Sequence, residues 1–375
     1  MSGGSAGGAL STGNRVEVYF EGDDAFDAMR AAIRDARRFV HLEMYIFKAD
    51  EVGWSFAEVL MERAEAGVAV RVIYDALGSI KANRKIFADM RARGVSVVAY
   101  RPLMSWRPRA GWLGRNHRKT LVVDGKTAFT GGMNLANAYS AKASGGRGWR
   151  DTAVRVDGPA ARDCDEHFRQ TWNTVTREHL LPPEPWEKPG HPAGCPCVVI
   201  GSYGLKQRRA IRRLYSVQLG LALDEVQMTV PYFAPPRRLR RALYLARARG
   251  LPVRVLVSRD TDVPMADWVR EGLYPDLLLR DIEVHEYNAG VMHAKTMVVD
   301  GHVAVVGSAN FDYVSVALNL ELAIVVFDEE IARRLTEQYE KDLEGATRLS
   351  ADWALSRPWW RRWMARVGAF VIRKL

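Results

Sequence analysis

The sequence contains one polar motif twice in the same register, and this repeat restricts the fold more than any other feature. Each copy has a histidine, a lysine two residues later and an aspartate five residues after the lysine. Seven residues beyond the aspartate comes a glycine, and an asparagine follows three residues further on. The matching residues are His117, Lys119, Asp124, Gly131 and Asn134 in the first copy, and His293, Lys295, Asp300, Gly307 and Asn310 in the second.

The secondary structure predicted around the motifs repeats as well, because amphipathic helical patterns alternate with short apolar runs in both halves. In the first half the pattern predicts helices at 24–38, 54–66 and 80–93 and strands at 40–47, 68–74 and 95–100. In the second half it predicts helices at 206–223 and 236–249 and strands at 226–233, 253–257 and 281–287. A repeat of this length indicates a duplicated α/β domain.

The composition of the connecting segments predicts the domain limits. A Gly- and Ser-rich start is typical of a disordered tail, and a Pro-rich stretch cannot continue a helix or a central strand. We therefore expect a disordered tail at 1–14, a first domain at 15–180, a Pro-rich linker at 181–200, a second domain at 201–345 and a basic aromatic C-terminal tail at 346–375.

The local sequence predicts that each motif lies on a rigid hairpin. Histidine and lysine two residues apart on a strand point to the same face, so imidazole and ammonium can meet one phosphate. The apolar residues that follow are typical of a buried strand, and the Asp-Gly pair at Asp124 or Asp300 predicts a tight turn into the next strand. We expect these two aspartates to organise the hairpin rather than to contact substrate.

This paired pattern resembles the phospholipase D superfamily over about Val16 to Asp342. The resemblance implies two phospholipase D-like α/β/α sandwich domains related by a pseudo-twofold axis, with the active site at their interface. Segments such as Trp149-Arg-Asp151 and Pro231-Tyr-Phe-Ala-Pro235 resemble bacterial cardiolipin synthases in particular. The start of the chain carries no pair of apolar spans, which resembles the short, peripherally attached branch of those enzymes.

Phosphodiester exchange requires a nucleophile, a proton donor for the leaving alkoxide and positive charge around the phosphoryl oxygens. The resemblance implies that His117 attacks phosphorus to form a phosphohistidine and that His293 is the acid and base, although a near-symmetric site permits either histidine to start. The expected residues are the catalytic motif residues His117, Lys119, Asp124, His293, Lys295 and Asp300, the phosphate-binding residues Asn134, Ser308 and Asn310, and the histidine-orienting acids Asp151 and Glu321.

Charge and composition predict the partners. The formal net charge of +10 favours anionic partners such as acidic lipid or nucleic acid. Three cysteines without a metal-ligand pattern indicate reduced thiols in the cytoplasm. We expect no cofactor, no metal and no obligatory nucleic acid, and peripheral attachment to the cytoplasmic face of the cell membrane; the sequence leaves the oligomeric state open.

Two basic aromatic segments favour a lipid surface, and each has an alternative. Residues 101–115 combine tryptophans with arginines, which suits lipid headgroups or the stacking of nucleic-acid bases. The C-terminal tail has the composition of an interfacial amphipathic helix, and the alternative is a helix packed on the protein's own core.

The motif predicts the reaction more narrowly than the substrate. Cardiolipin synthesis from phosphatidylglycerol is the expected activity. A phospholipase D-type hydrolase, a nuclease and a non-catalytic lipid-binding scaffold are the alternatives.

Overall fold

The computed structural model describes residues 8–102, 114–182, 191–202, 209–261, 264–354, 358–360 and 363–364. Its strands form one sheet of 15 strands and a separate pair of short strands. Helices cover the sheet, so the predicted α/β class is confirmed.

The first half has seven strands and four helices within its described residues. The strands are β1 (Leu10–Tyr19), β2 (Phe39–Met44), β3 (Ala69–Asp75), β4 (Ser96–Tyr100), β5 (Lys119–Val123), β6 (Thr127–Gly131) and β7 (Ala153–Asp157). The helices are α1 (Gly22–Arg34), α2 (Glu51–Glu65), α3 (Arg84–Ala92) and α4 (Pro159–Thr176), with short 3-10 turns at Asn137–Tyr139 and Lys142–Ser144.

The second half repeats this order with additions. Its described strands are β8 (Cys195–Gly201), β9 (Val226–Val230), β10 (Phe233–Ala234), β11 (Val253–Ser258), β12 (Glu283–Tyr287), β13 (Thr296–Val299), β14 (Val303–Gly307), β15 (Phe311–Asp312), β16 (Leu322–Phe327) and β17 (Ala346–Arg348). Its described helices are α5 (Ala210–Leu221), α6 (Arg237–Ala248), α7 (Pro264–Glu271), α8 (Tyr274–Leu278), α9 (Tyr313–Ala317) and α10 (Glu329–Glu344), followed by a 3-10 turn at Ala351–Ala354.

The strand order confirms the duplication. From the centre outward, the first half runs β1-β7-β6-β5-β2-β3-β4 and the second runs β8-β16-β14-β13-β9-β11-β12-β17. Apart from the added β17, equivalent strands occupy equivalent places. The two central strands, β1 and β8, are themselves equivalent and pair antiparallel. A pseudo-twofold axis between the halves produces this arrangement.

Alternation within the strands divides the apolar residues between three main cores. Leu121 and Val123 of β5 face a core formed with α1, α2 and α3. Val122, which points the other way, joins a central core that contains apolar residues from both halves. The second half has its own outer core under α5 and α6. The halves are therefore held together by buried apolar surface as well as by the shared sheet.

The structure has strands within the segments assigned to the N-terminal tail and to the linker. Leu10–Asn14, assigned to the disordered tail, form the start of β1, and Leu10 pairs with Val198 of β8. Cys195 to Ile200, assigned to the linker, belong to β8. Each segment completes the edge of the other half's sheet. Residues 1–7 and 183–190 lie outside the described residues.

The predicted strand at 226–233 is also interrupted. The strand β9 ends at Val230, and Phe233–Ala234 forms a separate parallel pair with Phe311–Asp312. Pro231 lies between them and has no N–H to donate to a ladder, which explains the break. The predicted start of α5 at residue 206 and most of the C-terminal tail lie outside the described residues, although Ala346–Arg348, assigned to that tail, pairs with β12.

Two further observations concern the cysteines and the possibility of a membrane-spanning helix. The three cysteines are free and buried. Within the part of the chain that the structure describes, no helix combines the length and the apolar character needed to cross a bilayer.

The predicted Asp-Gly hairpins are confirmed. The strands β5 and β6 pair antiparallel, and Asp124 and Gly125 both have positive φ, as a two-residue type I′ turn requires. The Asp124 carboxylate accepts the backbone N–H groups of Arg37, Arg38 and Phe39, each at 2.8 Å. It therefore ties the hairpin to the loop that precedes β2.

Asp300 repeats this role in the second half. Its φ is 54°, and its carboxylate accepts the backbone N–H groups of Leu223, Asp224 and Glu225 at 2.8–3.0 Å. Asp124 and Asp300 follow the ends of β5 and β13 that are farther from the motif histidines. These contacts support the structural role expected for the two aspartates in the motif.

Replacing Asp124 should measurably destabilise the fold. We expect Asp124→Ala to lower the free energy of unfolding by about 2 kcal/mol, because three backbone donors lose a charged acceptor. Urea unfolding should show this loss, whereas the exposed Asp35, changed to alanine, should leave the midpoint nearly unchanged. Equal midpoints for the two variants would contradict the structural role of Asp124.

Candidate active site

The two motif histidines lie at the interface between the halves and are attached to it through their backbones. The N–H of His117 donates to the carbonyl of Leu320 at 2.9 Å, and the N–H of His293 donates to the carbonyl of Arg150 at 2.7 Å. Because each bond joins a motif in one half to the other half, separation of the halves would displace both histidines.

Each imidazole is paired with a carboxylate of the opposite half. Nδ1 of His117 lies 3.0 Å from Glu321, and Nδ1 of His293 lies 2.7 Å from Asp151. An ionised carboxylate only accepts hydrogen bonds, so Nδ1 carries the proton in both rings. Nε2 is then left as the ring nitrogen with a lone pair. The structure thus brings together four residues that the sequence predicted, in a crossed pairing.

Burial sets the protonation of these pairs. It lowers the pKa of His117, although the charge of Glu321 opposes the shift. Burial and the nearby charge of Lys295 lower the pKa of His293 to about 4. For Glu321, burial raises the pKa, but the charge and hydrogen bond of His117 outweigh it and the pKa is lowered. The lowered pKa values favour the neutral form of both imidazoles near pH 7.

The two motif lysines lie beside these histidines and are also buried. Lys119 Nζ donates to the carbonyl of His117 at 2.6 Å, and Lys295 Nζ lies 2.9 Å from Nδ1 of His293. Burial and the like charge of Lys295, opposed by Glu321, lower the pKa of Lys119 to about 7. Lys119 in turn lowers the pKa of His293, and Lys295 lowers that of His117. The two motifs thus form one electrostatic cluster.

The two asparagines have different surroundings. Asn134 Nδ2 donates to the hydroxyl of Tyr139 at 2.6 Å, and its Oδ1 accepts the N–H of Ile46 at 3.1 Å. Asn310 is buried, and its Oδ1 has no hydrogen-bond partner among the described residues. A buried acceptor without a partner in the protein fits an additional hydrogen-bond donor at this position.

The two copies of the motif share a glycine, Gly131 or Gly307, but the residue that follows it differs between the halves. Ser308 was predicted to bind phosphate, but its hydroxyl donates to Glu321 at 2.5 Å, so it supports the carboxylate that orients His117. The equivalent residue is Gly132, where a Cβ would lie 2.1 Å from Asp151 Oδ1. The second half therefore uses a hydroxyl at this position to hydrogen-bond Glu321. The first half requires a glycine there, because any side chain would collide with Asp151.

Two aromatic residues of the site were not predicted from the sequence. The ring of Tyr45 packs edge-on to His117 at 4.7 Å, and Lys119 Nζ lies 5.1 Å from the same ring. The hydroxyl of Tyr139 lies 3.4 Å from Nδ1 of His293. Tyr45 is far from both motifs in the sequence, and Tyr139, five residues after Asn134, has no counterpart pattern that marks it, so the tertiary structure identifies both.

Arg118, the residue between His117 and Lys119, is fully buried and points away from them. It donates to the carbonyls of Glu321 at 3.3 Å and Ser202 at 2.7 Å, both in the second half. It also contacts Glu43, Thr171 and the carbonyl of His167 in the first half. Arg118 therefore fixes the position of Glu321 relative to His117, the histidine that Glu321 orients.

Arg150 gives comparable support to the other carboxylate. Its guanidinium donates to the carbonyl of Asp151 at 2.5 Å and forms an ion pair with Asp342 of α10 at 2.9 Å. The residue equivalent to Arg118 in the second motif is Ala294, which cannot play this part. Each orienting carboxylate thus has an arginine on its own backbone carbonyl, supplied from a different sequence position.

Comparison with known proteins agrees with this geometry. The family model described as "Cardiolipin synthase, PLD-like domain" matches residues 29–172 and 215–343. The major cardiolipin synthase ClsA of Bacillus subtilis (strain 168) is 33% identical over 354 residues, covering 93% of this chain and 73% of that protein. A cardiolipin synthase of Geobacillus kaustophilus (strain HTA426) is 31% identical, covering 93% of this chain and 70% of the relative.

Two solved structures share the fold. The crystal structure of phosphatidylserine synthase from Haemophilus influenzae Rd KW20 superposes with a TM-score of 0.70 at 13% identity, covering 95% of this chain and 93% of that one. The polyphosphate kinase of Porphyromonas gingivalis gives 0.56 at 14% identity, covering 88% of this chain and 50% of that one. With the family model matched in both halves and relatives aligned over most of their length, the chain belongs to the phospholipase D-like cardiolipin synthase family.

Proposed function

We propose that this protein is a phosphatidyltransferase that makes cardiolipin, by transfer of a phosphatidyl group to a glycerol hydroxyl of phosphatidylglycerol. The names of its relatives support this reaction. The observation that carries the proposal is the crossed pairing of His117 with Glu321 and of His293 with Asp151, around two buried lysines. It provides two imidazoles, each with a free nitrogen, and fixed positive charge in one buried cluster.

In the proposed first step, Nε2 of His117 attacks phosphorus and the bond from phosphorus to the departing glycerol oxygen breaks. His293, protonated in the substrate complex, gives its proton to that oxygen. The phosphatidyl group is then bonded to His117. Lys119 and Lys295, with Asn134 and Asn310, are proposed to surround the phosphoryl oxygens and stabilise their charge.

In the second step, His293 takes the proton from a hydroxyl of phosphatidylglycerol. The hydroxyl oxygen attacks phosphorus and the bond from phosphorus to His117 breaks, which restores both imidazoles. Water in place of this hydroxyl would give hydrolysis. The same residues thus permit transfer or hydrolysis, and access of water to the site decides between the two.

The surroundings of the histidines support this division of roles. Lys295 Nζ lies 2.9 Å from Nδ1 of His293 and contributes to lowering its pKa to about 4. A low pKa makes the protonated ring a strong donor to a leaving alkoxide. An anionic phosphodiester in the site offsets the lysine charge and raises that pKa, so that His293 gains its proton when substrate binds.

We also propose that the protein acts while attached peripherally to the cytoplasmic face of the membrane. Its proposed substrates are anionic phospholipids, and the described part of its C-terminal tail exposes Trp359, Trp360 and Trp363 by 76%, 45% and 59%. Tryptophan side chains favour the headgroup region of a bilayer. Most of the tail and of residues 101–115 lies outside the described residues.

The reaction can be tested by incubating the protein with phosphatidylglycerol vesicles and analysing the products by mass spectrometry. We expect cardiolipin and free glycerol. His117→Ala should abolish both the product and a trapped phosphohistidine, whereas His293→Ala should still form the adduct slowly from a substrate with a good leaving group.

The other outcomes separate the alternatives. Phosphatidic acid as the main product would indicate a hydrolase. Cleavage of single-stranded DNA without any lipid product would indicate a nuclease, and binding of lipid without turnover would indicate a scaffold. An adduct on His293 would reverse the assigned roles.

The pKa of Lys119, lowered to about 7, predicts an alkaline limit to activity. The ratio kcat/KM reflects the free enzyme, so it should fall as pH rises through about 7, where the lysine loses its charge. In Lys119→Arg the charge persists, so the decline should move to higher pH even if the maximum rate is lower. Rates on a soluble short-chain substrate from about pH 5 to about pH 9 test this, and identical alkaline declines would refute it.

The support that Arg118 gives to Glu321 predicts a kinetic effect without direct substrate contact. We expect Arg118→Met to lower kcat by about 100-fold with little change in KM, because a displaced Glu321 leaves His117 misoriented. Arg155→Met, which changes a partly exposed arginine paired with Asp157, is the control. Assays should run well below the melting temperature of each variant, and an unchanged kcat in the Arg118 variant would exclude the positioning role.

A further inference from the structure

Equivalent helices in the two halves carry opposite charge. The helices α1 and α2 contain seven acidic and three basic residues. Their equivalents α5 and α6 contain seven arginines and no acidic residue. Both pairs cover the outer core of their own half, so the same fold position is acidic in one half and strongly basic in the other.

The arginines around the start of these helices repel one another. Burial, followed by the positive charges of Arg238 and Arg209, lowers the pKa of Arg212. Among the described residues, none of these three arginines has a carboxylate at ion-pair distance, whereas Arg247 at the other end of α6 pairs with Asp281. An unneutralised cluster of this kind lowers the stability of the folded protein and is relieved by an anionic partner.

This cluster borders the candidate active site. The hydroxyl of Tyr215, on α5, donates to the carbonyl of Ala309 at 3.1 Å, and its ring packs edge-on to Phe311 at 4.9 Å. These residues flank Asn310, which belongs to the site. Tyr313, three residues beyond Asn310, is close enough to Arg212 to influence its pKa. These contacts connect the helix that carries Arg212 directly with the segment that carries Asn310.

The same surface also exposes aliphatic side chains. Val217, Leu221, Leu245 and Val314 are exposed by 44%, 67%, 52% and 48%. A groove of about 160 Å³ beside α5 has a mostly apolar lining that includes Val198, Ile200, Leu214, Val217 and Phe327. Arginines mixed with exposed aliphatic groups are typical of a surface that lies against lipid headgroups. Single-stranded nucleic acid would instead require exposed aromatic rings on which bases can stack.

We propose that α5, α6 and the start of α9, here called the basic face, dock on a bilayer that contains anionic phospholipid. In this orientation the arginines bind lipid phosphates and the aliphatic groups contact the headgroup boundary. The side of the active site that borders the basic face then lies toward the lipid. The acidic helices α1 and α2 lie on the outer surface of the other half. This inference rests on the proposed function, because it assigns the bilayer as the source of substrate.

The test uses two triple variants matched by charge and by helix. One changes Arg212, Arg213 and Arg238 of the basic face to glutamine, and the control changes Arg30, Arg34 and Arg63 of α1 and α2 to glutamine. Both remove three positive charges from equivalent helices. Sedimentation with phosphatidylglycerol vesicles should show affinity reduced by about 10- to 100-fold for the first variant and by much less for the control. Vesicles of phosphatidylcholine should bind the wild-type protein weakly.

A second measurement separates docking from chemistry. Both variants should retain nearly wild-type turnover of a monomeric short-chain phosphatidylglycerol, and melting temperatures should establish that both are folded. Equal loss of vesicle binding in the two variants would overturn the inference, as would unchanged binding in the first. If the first variant instead lost affinity only for a single-stranded oligonucleotide, the basic face would be a nucleic-acid surface. Vesicle binding that depends on these arginines, without turnover of any lipid by the wild type, would refute the proposed function but retain the docking surface.

Discussion

The crossed histidine–carboxylate pairs are the constraint on which the rest of the structure depends. Glu321 and Asp151 are both fully buried, and a buried carboxylate without a partner is strongly destabilising. The partner of each carboxylate is a histidine of the opposite half. Each carboxylate therefore takes its histidine from the opposite half, and a complete site exists only when the halves are docked. The joined sheet and the central apolar core maintain that docking.

The duplicated fold is nearly symmetric, but its polar interior is not. Ser308 donates to Glu321 where Gly132 only leaves room for Asp151, and Arg118 has no counterpart at Ala294. The proposed transfer through a covalent intermediate gives the two histidines different tasks at each step. The unequal support around the two imidazoles provides a physical basis for such a difference, since each ring has its own carboxylate geometry and its own nearby cations.

Burial also explains the electrostatic character of the site. Two lysines placed in a low-dielectric cluster lose hydration, which lowers the pKa of Lys119 and, through their charge, the pKa of the histidines. In the proposed reaction an anionic phosphodiester relieves this unfavourable arrangement, because its charge can pair with both ammonium groups. The basic face repeats the principle, since Arg209, Arg212 and Arg238 lie close together without a carboxylate at ion-pair distance among the described residues.

The sequence by itself determined the duplicated α/β fold and the paired motifs. Periodicity and the Asp-Gly turns are local signals, and local signals predicted the helices, the strands and the hairpins well. The tertiary structure alone decided which carboxylate serves which histidine, because that pairing crosses from one half to the other. It also decided that Leu10–Asn14 and Cys195–Ile200 are strands, since these segments gain their hydrogen bonds from partners about 180 residues away. Arg118 lies within the first motif, but its role in positioning Glu321 depends on hydrogen bonds to the carbonyl groups of Ser202 and Glu321. These groups are distant in the sequence, so no local pattern predicts the contacts.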